Sequence, residues 1–164
     1  MEARRIIGAD GRSSVTRKTM GLPDDRHLLS YTAGVLLEDV ELPYEGYGHV
    51  LLGGLGPVLM YRVGTDVIRM CIDVPTMYVK APHKAAFLWD SYAPVLPESL
   101  RSAFYTALKE RPIFWAANQF RPRVHFGQEG IALVGDAAGH FHPLTAMGMT
   151  MGFLDADCLS NSES

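Results

Sequence analysis

GDAAGHFHPLTAMGMTMGFLDAD, residues 135–157, decides how the rest of this 164-residue chain is read. The four residues before it, Ile131, Ala132, Leu133 and Val134, form an apolar run with the length of a fully buried strand. Gly135 permits a sharp exit and puts Asp136 at the strand's carboxyl end, where open α/β sheets bind ligands. A carboxylate there accepts hydrogen bonds from sugar or polyol hydroxyls. Farther along, Pro143 stops one turn and Thr145 is placed to cap the next helix, on which Gly148, Gly152 and Ala156 recur at i, i+4 and i+8. Such a face lets a flat ring approach the helix backbone, and the free N–H groups at its positive end favour an anionic ligand edge. The stretch reads as a holder for a nucleotide-type cofactor. The plainer alternative is a strand, turn and helix whose small residues only pack.

A second stretch, IIGADGRSSVTR at residues 6–17, is another strand exit followed by an Asp10-Gly11 turn, a hydroxyl pair at Ser13 and Ser14, and Arg17. Alone it is an Asp-Gly turn capped by serine. The two stretches together resemble the GADGxxSxxR and GDAA fingerprints of the single-component flavoprotein hydroxylases, the fold family of p-hydroxybenzoate hydroxylase. The resemblance implies FAD as cofactor, with Asp10, Gly11, Arg17, Gly135, Asp136, Ala137, Pro143, Gly148 and Met149 as cofactor-binding residues. In that scheme Asp136 holds the ribityl chain, the flavin ring lies against the helix starting near 145–149, and Arg17 faces the pyrophosphate. Arg12 reads as a solvated turn residue.

A narrower likeness runs through His142-Pro143-Leu144-Thr145, Gly148-Met149-Thr150, Phe153 and Asp155, which resemble the HPLTGGGMTxxFxD run of squalene epoxidases. Ala9-Asp10-Gly11, Ser14, Arg17 and Lys18 are similar to the ADGxxSxxRK run of the same enzymes. Ala146 and Met147 depart from it, replacing two glycines, and Gly139 stands where many aromatic hydroxylases carry histidine. The resemblance implies insertion of one oxygen atom from dioxygen into an apolar, isoprenoid-type substrate, with electrons from NAD(P)H or a reductase partner, and peripheral membrane association of the full-length protein. GDAAG with PLT also resembles geranylgeranyl reductases, so flavin-dependent isoprenoid reduction is an alternative, as is a truncated product without catalysis. No acid or base has a spacing that assigns it a catalytic role. The WxWxIP run of flavin-dependent halogenases is absent, since Trp89 and Trp115 are isolated.

Composition narrows the class. A net charge of −3 with scattered Arg and Lys carries no footprint for nucleic acid. Residues 46–61 lack charge but are broken by glycines and Pro57, so no run is suited to spanning a bilayer. Glu2, Arg4 and Arg5 lead into no signal-peptide core, which suits an intracellular place, cytoplasmic or peripheral to a membrane. Cys71 and Cys158 are too few for a disulfide scaffold, and Cys71 is expected to be a buried strand residue. His140 and His142 lack a third ligand, so no metal site is expected.

Between the two motifs, period-two patterns at 28–37, 49–52, 58–63 and 67–74 predict strands, the last two as a hairpin. Helical spacing follows at 80–92 and 97–108, then a return strand at 113–120. The fold class is α+β: an antiparallel substrate-binding sheet with helices, residues 25–126, inserted in an incomplete α/β FAD-binding domain of the Rossmann-like, glutathione-reductase type, residues 1–24 and 127–164. No GxGxxG triplet precedes Asp10 and the tail at 159–164 is polar, so the chain is expected to be an internal piece of a larger protein that binds FAD poorly alone. Phe114, Trp115, Phe120 and Phe126 either line an apolar cavity or pack a core. Met147, Met149 and Met151 pose the same choice between an isoprenoid chain and a core. Arg121 and Arg123 flank Pro122 on a loop and are expected to face solvent. Asp10 and Asp136 are expected on one side of the molecule, at the ends of two strands.

Overall fold

The structure, a computed structural model, describes residues 3–161. It divides into two compact units, one of Met1–Leu28 with Gln119–Ser164 and one of Leu29–Asn118. The first unit opens with strand β1 (Ile6–Gly8) and helix α1 (Val15–Thr19). The chain then enters the second unit through β2 (His27–Glu38), β3 (His49–Leu51), β4 (Val58–Arg62) and β5 (Val67–Pro75), continues as α2 (Lys84–Tyr92) and α3 (Glu98–Glu110), and leaves through β6 (Phe114–Phe120).

The five strands form one antiparallel-paired sheet in the order β3-β4-β5-β2-β6. Its long ladder joins β2 to β5 from Ser30↔Pro75 to Glu38↔Val67. Alternation does the work predicted for it: Ala33, Val35 and Leu37 on β2 and Ile68, Met70, Ile72 and Val74 on β5 are buried, while the residues between them are not part of that core. Leu100, Phe104, Ala107 and Leu108 recur at helical spacing on α3 and join the same core, as do Leu88 and Tyr92 of α2. Each such aliphatic side chain contributes about 1.5–3 kcal/mol by leaving water. The α2 helix starts at Lys84, later than its sequence pattern predicted, because Pro82 bars its predecessor from the helical region and His83 takes a left-handed conformation at φ 53°.

A polar network sits among the other-face residues of β2, β5 and β6. Asn118 Nδ2 donates to Ser30 Oγ at 3.0 Å and to Asp73 Oδ1 at 2.9 Å, Thr32 donates to Asn118 Oδ1 at 2.9 Å, and the Ser30 hydroxyl donates to Asp73. Cys71, on the same face, is half-buried rather than buried, since it lies at an out-of-core position of β5. From the core side, the Tyr92 hydroxyl donates to the Asp73 carbonyl at 2.6 Å.

The first unit is completed by β7 (Gly127–Gln128), β8 (Ile131–Leu133) and α4 (Gly148–Asn161). Strands β1 and β8 pair in parallel, Ile6↔Ile131 through Gly8↔Leu133, and β7 flanks β8 antiparallel. Gly8 is required by the close approach of α1, for a Cβ there would lie 2.8 Å from Thr16 side-chain atoms. The polar tail read at 159–164 is helical through Asn161, and residues 162–164 lie outside the described ones. Met149 is 78% exposed and Met147 41%, so these methionines do not form a core within the described residues. Trp115 packs against the core of the second unit, whereas Phe114 and Phe126 are exposed. Among the described residues no helix is long and apolar enough to cross a membrane.

Candidate functional site

Two parallel neighbouring strands end on the same side, and that is what brings the two sequence motifs together. The Asp10-Gly11-Arg12 turn follows β1, and Gly135-Asp136-Ala137, a single 3-10 turn, follows β8. Arg12 Nε lies 3.3 Å from Asp136 Oδ2, with both side chains partly open to solvent. Asp10 and Asp136 thus share one side of this unit, as predicted. Arg12, read as a solvated turn residue, instead pairs across the two motifs.

Asp10 faces its own helix. Its carboxylate accepts the Thr16 backbone N–H at 2.9 Å and the Thr16 hydroxyl at 3.1 Å. The hydroxyl of Ser14 and the Thr16 amide lower its pKa to about 2. Ser14 caps α1 by accepting the Arg17 N–H at 2.9 Å. Arg17 does not present its guanidinium outward: it is 2% exposed and donates to the Pro23 carbonyl at 3.1 Å and the Ala138 carbonyl at 3.4 Å. Its direct contacts tie α1 to the residues after Asp136. Gly11 stands at φ +74° with no atom within 4 Å of where a side chain would begin.

Two arginines read as solvent-facing are the supports of the site. Arg121, 3% exposed, donates to the Arg12 carbonyl at 3.4 Å and pairs with Asp24 at 2.6 Å. Arg123 donates to the carbonyls of Gly135 and Gly139, both at 3.1 Å, and pairs with Asp155 of α4. Asp155 Oδ2 in turn accepts the Gly135 N–H at 2.6 Å. The turn bearing Asp136 is therefore gripped through both polar groups of one peptide residue. Arg121 and His140 exchange backbone hydrogen bonds as an isolated bridge, which draws the arginine segment inward rather than leaving it facing solvent.

The glycine face of α4 also has a different neighbour from the one expected. A Cβ on Gly152 would lie 3.8 Å from the Gly135 Cα, and one on Gly148 4.0 Å from Asp136 Oδ1. The small residues let the helix close on the Asp136 turn. Asp155 was visible on this face, seven residues after Gly148, and a carboxylate on a small-residue stripe signals a buried polar partner. Thr145 does not cap α4. It ends the 3-10 turn Pro143–Thr145, its hydroxyl donates to the His142 carbonyl at 2.8 Å, and Ala146 at φ 53° then separates it from the helix.

His140 is 3% exposed and, among the described residues, neither ring nitrogen meets a partner in good hydrogen-bond geometry, the Asp136 backbone being near the ring. Burial holds its pKa below the ordinary imidazole value, against the opposing pull of Asp136. With the open Gly11 turn, the half-buried Asp136 carboxylate and the amino-terminal turn of α4, whose first N–H groups have no intrahelical acceptor, the buried imidazole forms a set of polar groups suited to a polar, partly anionic ligand. The set fits the cofactor class expected from the sequence. Among the described residues no group of three or more His, Cys, Asp or Glu is arranged to hold a metal ion.

The fold resembles that of solved structures, among them a probable FAD-dependent monooxygenase, PqsL of Pseudomonas aeruginosa. Similar solved structures include Pseudomonas aeruginosa PqsL in complex with 2-aminobenzoylacetate, with a TM-score of 0.73 at 18% identity over 96% of this chain and 44% of that one. Klebsiella pneumoniae HpxO complexed with FAD and uric acid superposes with a TM-score of 0.72 at 20% identity over 90% of this chain and 39% of that one. The sequence profile of the family described as Squalene epoxidase matches residues 2–162, and the chain belongs to that family. Squalene epoxidases of Candida albicans and Aspergillus fumigatus are each 36% identical to it, over 96% and 94% of this chain and 33% of each relative. The chain thus spans about a third of the length of these curated relatives.

Proposed function

We propose that this chain is the cofactor- and substrate-contacting portion of an FAD-dependent monooxygenase that inserts one oxygen atom from dioxygen into an apolar isoprenoid substrate of the squalene class. The observation that carries the reading is the pairing of β1 with β8, which sets the Asp10 and Asp136 turns side by side on a chain of the squalene epoxidase family. Bound FAD, reduced by NAD(P)H directly or through a reductase partner, supplies the activation of dioxygen.

The chain's own residues bind, orient and exclude water. Asp136 would accept from hydroxyls of the ribityl chain, with Gly135 and Ala137 shaping its turn and Asp10 and Gly11 forming the adjoining wall. Pro143 ends the approach to α4, and the amides of Gly148 and Met149 would favour an electron-rich edge of the bound ring. Arg17 acts from behind by fixing α1 and the Ala138 carbonyl. The antiparallel sheet of residues 25–126 holds the apolar substrate, and residues 1–24 and 127–164 form the FAD-binding part. We place the full protein inside the cell, cytoplasmic or peripheral to a membrane.

Fluorescence titration of FAD with the full protein and with its Asp136→Ala variant tests this. The substitution should weaken binding at least tenfold while circular dichroism stays unchanged. Equal affinity in the two proteins would overturn the assignment.

A further inference from the structure

We propose that the groove between α2 and α3 binds an amphipathic carboxylate, a ligand with an apolar body and a single anionic head. The groove has a volume of about 500 Å³, within the range of small-molecule sites. Trp89 and Tyr105 meet edge to face with ring centroids 5.0 Å apart, and Leu108 adds an aliphatic wall. Ala86, on the exposed side of α2, leaves the groove open because its side chain is small.

Two ammonium groups set the polarity. Lys109 Nζ stands 4.3 Å from the centroid of Tyr105, and Lys84 Nζ stands 4.7 Å from that of Trp115. Cation–π contact restrains each amine while leaving N–H donors free. Neither lysine is in an ion pair among the described residues. His83 also lines the groove, and the acidic group there is Asp90. A neutral apolar ligand would leave both ammonium groups unused, and a polyanion would be repelled by Asp90. One carboxylate on an apolar body matches both the charge and the lining. The site lies on residues of the second unit that take no part in the proposed oxygen insertion.

The test uses the two tryptophans as reporters. The chain is titrated with 12-bromododecanoate, whose bromine quenches indole emission on contact, and with 12-bromododecanol, which has the same tail without the charge. Saturable quenching by the acid is expected, at least tenfold weaker for the alcohol and at least tenfold weaker in the double variant Lys84→Gln, Lys109→Gln. Ala86→Phe should fill the groove and abolish the quenching, with circular dichroism confirming that each variant is folded. Equal binding of acid and alcohol, an unchanged double variant, or quenching that requires anionic phosphatidylserine vesicles would each overturn the proposal, the last by showing a membrane surface in place of a molecular site.

Discussion

His140 has a titratable ring placed where its charged form is disfavoured. Burial lowers its folded pKa beneath the unfolded value, so below about pH 6.5 the unfolded chain binds more protons than the folded one. Stability is therefore retained above that pH and lost as pH falls through the folded pKa. Urea midpoints measured from pH 8 to 5 should decline, and His140→Met should flatten that decline. A slope unchanged by the substitution would show that another group controls it. Ala146 is strained in the opposite sense, through its backbone: φ is 53°, in the region that favours glycine. Ala146→Gly should stabilise by about 1 kcal/mol, read as a rise in the thermal midpoint of about 3 °C. At this scale Asp136 was legible because a strand exit needs no tertiary knowledge, whereas Arg12 was not, because its partner is distant in sequence and close only after β1 and β8 pair.

The elements were legible wherever burial is one-sided. β2, β4 and β5 followed from alternation, and α3 from its recurring apolar residues, since each buries one face only. α4 was legible as a helix but not in its packing, because glycines permit a ring or a backbone turn to approach equally well. What decides is Asp155, whose pair with Arg123 is nearly closed to solvent at 12% and 8% exposure. Removing one member of such a pair costs about 3 kcal/mol or more, since the other charge is left buried. Asp155→Ala should lower the unfolding free energy obtained from urea melts by that amount and reduce FAD affinity with it, whereas Asp155→Asn should retain part of both. On α2, Tyr92→Phe should cost about 1 kcal/mol in the same assay, because the Asp73 carbonyl loses its donor.

Across the whole molecule the apolar cores are unequal. The second unit buries a cluster running from Ala33 to Leu108, while that of the first consists of Leu133, Ala137 and Ala138 backed by Met20 and Leu22. Amide hydrogen exchange should therefore protect β2 and β5 well beyond β1 and β8, with the order reversed only if ligand binding adds to the first unit. The sequence supported an α+β fold with an inserted sheet because the pattern change from period two to helical spacing is local. How the first unit is fastened was hidden, since its polar ties join residues near both ends of the chain.

The parallel register of Ile6 with Ile131 also governs how the chain is made. The two strands are about 125 residues apart, and closing that loop costs about 4 kcal/mol of chain entropy before the first ladder bond forms. At ribosomal speed β1 waits roughly 10 s for its neighbour to be synthesised. Through that interval Ile6 and Ile7 lack their β8 partners, while the strands of the second unit have already been synthesised. A chain ending at residue 120 would accordingly carry the strands of the sheet together with a β1 edge that still lacks β8, the species for which a chaperone competes.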